Sequence, residues 1–292
     1  MSLGLFHYQL LSDILERIHY IYDEVELSNI VLEQLSKALN TEGGTIFKLL
    51  PGEQILPIAS YGADIAQLKR IKFAYGEGVV GWVAKYNQPV KVDNPQSDTR
   101  FMLHADAVTG FKTKSIIASP IVSKGQSIGI IEFLNKTGST FNMADIELIS
   151  MVGRELGIAF ENVKLIKSIE ESHTYLKSIV NTLNAGLLVM NKENVIPIIN
   201  PRAAQILKTK PNQLQDPKRS TSELAAYAPG LVDLLTTICK EAKTIPRGQT
   251  KVKIAGSEMV LSYSTAPMKN ENDEYSGMTF LFQDVTQYMG QQ

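Results

Sequence analysis

Apolar residues recur at three- and four-residue steps through Leu5, Leu10, Leu11, Ile14, Leu15, Ile18 and Ile21, and again from Glu26 to Leu39 through Leu27, Ile30, Val31, Leu35 and Ala38. This spacing predicts two amphipathic helices, the second stopped by Asn40 and Gly43-Gly44. Two β-branched-rich runs follow, Thr45–Leu50 and Ile55–Tyr61, around Pro51-Gly52, and predict a hairpin. Asp64–Arg70 reads as a short helix or turn. Glycines 76, 78 and 81 lead into Val79, Val80, Trp82, Val83 and Ala84, a loop entering a short helix, and Gln88–Val92 reads as a short strand. Asp93–Thr113 is polar with few strand signals. Ser115–Ser123 and Ile128–Leu134 read as strands split by Lys124–Ser127, and Phe141 to about Ser168 as a long helix.

The helical pattern runs on through Ile166, Ile169, Leu176, Ile179, Val180 and Leu183, with charges interleaved. Such a narrow seam is either a parallel coiled coil between two copies or a helix packed on its own domain. It crosses the place where one domain must end, which favours the two-copy seam. After Asn184-Ala185-Gly186 the texture changes. Leu187–Asn191 and Val195–Asn200 read as strands, and Pro201 opens a helix over Arg202–Leu207. Pro211–Ser220 is polar, Thr221 or Ser222 caps a further helix, and Leu231–Ala242 is helical. Lys251–Ala255, Glu258–Pro267 and Ser276–Asp284 complete a three-strand meander. The predicted class is α+β: two domains, each an antiparallel sheet flanked by helices, joined by a long helix. The expected spans are residues 1–168, a helical linker and possible coiled coil over 169–183, and residues 184–292.

The chain has 292 residues, enough for two cores, with 29 basic and 30 acidic residues and a net charge of −1. That balance builds no field for nucleic acid or anionic lipid. No apolar run is long enough to span a bilayer, and the N-terminus lacks a signal-peptide pattern, so no membrane segment is expected. The one cysteine, Cys239, allows neither an internal disulfide nor a CxxC metal site and fits a reducing, cytoplasmic compartment.

Gly76–Ala84, Gln88–Asn94, Ser115–Ile121, Ile128–Lys136 and the helix after Phe141–Asp145 resemble the GAF family at family-like spacing, over about residues 10 to 165. Gly186–Asn191, Val195–Leu207 and the ending Gly277–Thr286, with its Asp-x-Thr exit, resemble the PAS family over about residues 173 to 288. The resemblance implies the tandem sensory region of a bacterial signalling protein, as in two-component systems. It implies a pocket between sheet and helices in each half, and a signal relayed through helices to an effector domain or protein such as a kinase, cyclase, diguanylate cyclase or transcription activator. The Asp284-Val285-Thr286 exit implies that an effector follows.

The expected GAF pocket residues are Phe73, Trp82, Phe101, His104, Ser115, Ile117 and Ser119. Those of the PAS pocket are Val189, Ile198, Asn200, Ile238, Tyr263 and Phe280. Asn135, Lys136, Phe141 and Asp145 match part of a cyclic-nucleotide GAF signature whose final Glu is displaced, since position 146 is Ile. They read as a structural clamp, Lys136 pairing with Asp145, with cyclic-nucleotide binding as the alternative. The GAF half has no cysteine for a bilin or for sulfoxide-reductase chemistry. His104 has no second histidine or carboxylate at metal-ligand spacing, and His173 has no kinase domain after it. Gly76-x-Gly-x-x-Gly81 lacks the surrounding βαβ unit of a dinucleotide site. No catalytic constellation stands out, no metal site is expected, and the cofactor is unknown. The reading is a non-enzymatic, homodimeric sensor of an unidentified small molecule. A ligand-free dimerisation adaptor is the rival.

Overall fold

The structure is a computed structural model and describes residues 21–208, 224–225 and 228–288. The predicted helix from Leu5 to Ile18, and the predicted cap at Thr221 or Ser222, lie outside the described residues. The chain divides into two compact units at Glu170/Glu171.

In the N-terminal unit, α1 (Glu24–Leu39) starts two residues before the apolar periodicity, because the Asp23 carboxylate accepts from the Val25 and Glu26 N–H groups. It ends at Asn40, held left-handed at φ 53°. Strand β1 (Thr41–Leu50) begins four residues earlier than the β-branched run suggests and takes in Gly43 and Gly44. These glycines do not break the chain there. A Cβ on Gly44 would lie 2.8 Å from the Phe133 ring, and one on Gly43 3.1 Å from Phe111. The strand needs both positions bare so that aromatic rings can cross it. The hairpin to β2 (Gln54–Tyr61) turns through Gly52 and Glu53, both at positive φ. Then come α2 (Ile65–Leu68), β3 (Phe73–Ala74), α3 (Gly78–Tyr86) and β4 (Val90–Val92). The polar stretch expected to lack strands holds a 3-10 turn at Pro95–Ser97 and helix α4 (Leu103–Thr109). β5 (Ile116–Ser123), β6 (Gln126–Lys136) and α5 (Met143–Thr182, 40 residues) complete the order.

The six strands form one antiparallel sheet in the order β3-β2-β1-β6-β5-β4. Both faces are covered. On one, Leu27, Val31 and Leu35 of α1 and Leu148, Val152 and Leu156 of α5 pack on Ile46, Ile117, Ile131 and Phe133. On the other, Val79, Val80 and Val83 of α3 pack on Phe47, Ile116, Ala118 and Ile130. Alternate residues of β5 and β6 therefore serve opposite cores.

In the C-terminal unit, β7 (Gly186–Asn191), β8 (Ile198–Ile199), β9 (Ile245–Ile254), β10 (Ser257–Lys269) and β11 (Tyr275–Asp284) form an antiparallel sheet in the order β8-β7-β11-β10-β9. Helices α6 (Pro201–Ile206) and α7 (Pro229–Glu241) contribute Ala203, Ile206, Leu231, Leu235 and Ile238 to its core. Strand β8 is two residues, not the six from Val195 to Asn200, because Asn191 closes the turn itself: its side chain accepts from the Val195 N–H. Strand β9 starts six residues before the predicted Lys251, where Thr265 Oγ1 accepts from Ile245 N. The fold is thus α+β with two antiparallel sheets flanked by helices and a long helix between them.

Helix α5 lies against β5 through two glycines. A Cβ on Gly153 would sit 2.5 Å from the Pro120 carbonyl oxygen, and one on Gly157 1.9 Å from that of Val122. Alanine is a better helix former than glycine by about 1 kcal/mol. Gly157→Ala is nevertheless expected to destabilise the chain by about 1–3 kcal/mol through overpacking. Urea denaturation of the purified variant measures this, and a gain in stability would contradict the packing described.

Candidate functional site

On the α3 side of the N-terminal sheet lies a cavity of about 70 Å³. Its floor is Thr45 and Phe47 of β1, Ile116 of β5, and Glu132 and Leu134 of β6. Its walls are Leu68, Phe73, Val79 and Val80, and its roof is Phe101, Met102, Ala105, Asp106 and Thr109 with Phe111. The glycines at 76–81 bring these walls together. A Cβ on Gly81 would fall 2.1 Å from the Ala74 carbonyl oxygen, so α3 rests directly on β3. Gly78 takes φ 70° beside the Met102 sulfur. The roof is tied down by Asp106, whose carboxylate accepts from Thr113 N at 2.9 Å and from Thr113 Oγ1 at 2.5 Å.

Glu132 is the exceptional residue. It is 8% exposed and sits on β6 between Ile130 and Leu134, opposite Thr45 and Ala118, whose small side chains leave it room. Among the described residues no donor reaches its carboxyl and no Lys, Arg or His lines the cavity. Burial, with a smaller contribution from the Asp106 carboxylate, pushes it up to about 8. Beyond Glu132 and Asp106, the polar side chains in the lining are Tyr61, Thr45, Thr109 and Thr113. The cavity is thus a small, aromatic-walled space with one unpartnered carboxyl group.

Of the residues expected here from sequence, Phe73 and Phe101 line the cavity. The others are placed elsewhere. Ile117 and Ser119 face α1 and α5, Ser119 Oγ lying 3.1 Å from Ser150 Oγ. The cavity face of β5 carries Ile116 and Ala118, and a one-residue offset in a strand reverses the face. Ser115 is held by its backbone to Asn135. His104 is exposed on the outer side of α4. Trp82 lies under the Arg100 guanidinium at 4.9 Å and against Tyr86, outside the cavity. Glu132, Asp106, Tyr61 and Phe111 were not singled out. The signal for Glu132 was available: an acidic residue inside the apolar run Ile-Ile-Glu-Phe-Leu, on the same face as Ile130 and Leu134.

Asn135, Lys136, Phe141 and Asp145 do come together. Lys136 Nζ lies 2.6 Å from Asp145 Oδ2 and 6.0 Å from the Phe141 ring centre. Asp145 also accepts from Asn142 N, while Asn142 Oδ1 accepts from Ala144 N and Asp145 N, a reciprocal cap on α5. Asn135 accepts from Lys114 N and donates to Glu42 and to the Lys112 carbonyl. None of these four lines the cavity.

In the C-terminal unit, Ile238 and Phe280 are packed in the core with Tyr263 against them. Ile198 is 43% exposed, because β8 is a short edge strand, and it lines a surface groove with His173 and Leu176. Val189 is buried outside that core. Asn200 caps α6 and spends its whole amide on backbone, accepting from Leu187 N and Ala203 N and donating to the Val180 and Ala185 carbonyls. It has nothing left for a ligand. Cys239 is buried, its sulfur 3.1 Å from the Tyr275 hydroxyl. Among the described residues no His, Cys, Asp and Glu cluster is arranged to hold a metal ion, and no helix is long and apolar enough to cross a membrane.

Residues 23–160 match the family model of the GAF domain. The N-terminal unit is a GAF domain. GAF domains are regulatory sensor modules rather than catalytic ones; they bind small ligands and often dimerise. Among curated proteins, the chain is 27% identical over 166 residues to a dual 3′,5′-cyclic-AMP and -GMP phosphodiesterase 11A of Takifugu rubripes, covering 56% of this chain and 18% of that protein. It is 31% identical over 104 residues to a probable 3′,5′-cyclic phosphodiesterase of Caenorhabditis elegans, covering 36% and 14%. The chain thus spans less than a fifth of the length of these relatives. Among solved structures, the GAF domain of a phosphoenolpyruvate-protein phosphotransferase from Coxiella burnetii shares the fold at a TM-score of 0.52 and 15% identity, over 57% of this chain and 99% of that one. The E. coli DhaR(N)–DhaL complex shares it at 0.50 and 15%, over 97% and 92%.

The raised Glu132 value has a signed consequence for the GAF domain. Between the ordinary value of 4.5 and about 8 the folded chain holds a proton that the unfolded chain has lost, so this group's contribution to stability falls as pH rises through that window. Glu132→Gln removes the proton exchange. The variant's stability relative to the parent is expected to grow by up to about 3 kcal/mol from pH 5 to pH 8. Urea unfolding at a series of pH values measures this, and parallel stability profiles would contradict it.

Proposed function

We propose that this chain is a sensory and regulatory input module that takes a small ligand in the GAF cavity and passes its occupancy along α5. The observation that carries this reading is the aromatic-walled cavity between β6 and α4, with a carboxyl that none of the described residues satisfies. Burying such a group is unfavourable unless a partner arrives. Strand β6 presents Glu132 to the cavity and Ile131 and Phe133 to the core containing α5, so a change on one face is met by the helix on the other.

The remaining parts are read in the same frame, with spans of 1–168, 169–183 and 184–292. The C-terminal unit is taken as PAS-like. Its five-stranded antiparallel sheet under α6 and α7 supports this, as does its exit: Thr286 N and Oγ1 donate to Asp284, and Thr286 Oγ1 accepts from Val260 N. A homodimer is supported by Ile158, Leu165, Ile169, Leu176 and Ile179, all exposed on α5 at steps of seven, four, seven and three residues. The receiver of the signal is an effector domain or protein. A buried free cysteine fits a cytoplasmic setting.

A second reading, cyclic-nucleotide sensing, draws on the relatives, whose names describe phosphodiesterases of cyclic nucleotides, and on Asn135, Lys136, Phe141 and Asp145. Against it, the described residues offer the cavity no cationic side chain for a phosphate. Native mass spectrometry of the purified chain tests these readings together. A dimer carrying excess mass is expected, and an excess matching a cyclic nucleotide selects the second reading. A clean apo mass would favour a ligand-free adaptor, and a monomer would remove the seam.

A further inference from the structure

Resting on the reading of this cavity as a ligand site, we infer that its ligand is a single-ring aromatic compound bearing a cationic or paired N–H donor group, an amidine or a protonated amine, that docks on Glu132. Three features select that class. The first is size. At about 10–15 Å³ of such space per water, a cavity of about 70 Å³ holds about five to seven waters. That is the bulk of one substituted ring and less than a nucleotide. The second is the wall: Phe73, Phe101 and Phe111 surround the space, while one polar end carries the charge chemistry.

The third is the direction of the electrostatics. Glu132 is more than nine-tenths buried, lines the cavity, and receives no hydrogen bond from the described residues. Asp106 faces it from α4 but is occupied by Thr113 and adds a second negative charge. Tyr61, from β2, is the remaining titratable group in the lining among the described residues. An anionic group would meet two carboxyl groups and, among the described residues, no cation. A neutral ligand could pair with Glu132 only while the carboxyl is protonated, and would leave the carboxylate uncompensated once it ionises. A cation or a pair of N–H donors gives the carboxylate the partner it lacks and displaces its proton to solvent, so the complex tightens as pH rises toward the Glu132 titration.

Calorimetry on the full chain with benzamidine, benzyl alcohol and benzoate compares one ring with three charges. Benzamidine is expected to bind at least tenfold more tightly than benzyl alcohol. Its affinity should rise between pH 6.5 and 8.5, and benzoate should not bind. Glu132→Gln, checked for native circular dichroism, is expected to lose at least tenfold in benzamidine affinity while keeping that for benzyl alcohol. The comparison among the three compounds on the unaltered chain stands even if the variant fails to fold. Benzoate binding as tightly as benzamidine, or benzamidine unaffected by pH and by the variant, would overturn the inference. Benzyl alcohol binding without benzamidine would overturn it while leaving the cavity a ligand site. No binding by any of the three would overturn it and remove the support for the ligand site as well.

Discussion

A sheet covered on both faces must divide its side chains between two cores, and in the GAF domain that division falls hardest on β6. Ile131 and Phe133 complete the core under α1 and α5, while Ile130 and Leu134 belong to the core under α3. No slip of register is available, because one residue of shift would send each set to the wrong side. The close approaches follow from the same constraint. Gly44 makes way for the Phe133 ring, Gly153 and Gly157 let α5 touch the carbonyls of β5, and Gly81 lets α3 lie on β3. These four glycines are packing devices rather than turn signals.

Within that arrangement Glu132 is the one acidic residue that β6 presents to the cavity. An apolar side chain there would pack against Phe47 and Leu134 without penalty. A carboxyl forgoes that packing and gives up its hydration, and the domain holds it protonated near neutrality rather than supplying a donor. A group kept unsatisfied in this way is a place where an incoming molecule gains more than ordinary surface contact. Once ionised, it also gives the cavity a sign: the carboxylate favours donors and disfavours anions.

Most of the architecture was legible in the sequence because the elements are long and strongly patterned. The two antiparallel sheets, the α1, α5 and α7 helices and the hairpins all follow from periodicity and from turn residues. The misses have local causes. Reading Gly43-Gly44 as a stop ignored what a neighbouring strand demands of its partner. The short α4 has no strong apolar face, so nothing in Leu103–Thr109 advertised the roof of the cavity. On β5 the sequence places the cavity face one position out of phase, since a run of six buried residues, Ile116–Ile121, gives no alternation to fix the face. Asn200 stood at a family-like position, but its bonds tie backbone to backbone.

The electrostatics of the cavity therefore turn on the protonation of one side chain. Direct carbon-13 NMR of the Glu132 carboxyl, assigned by comparison with Glu132→Gln, follows that proton without reference to stability or to any ligand. A titration midpoint near 8 is expected in the free chain. A midpoint near 4.5, the ordinary value for a glutamate, would show the carboxyl already satisfied, and the electrostatic argument for the cavity would fall with it.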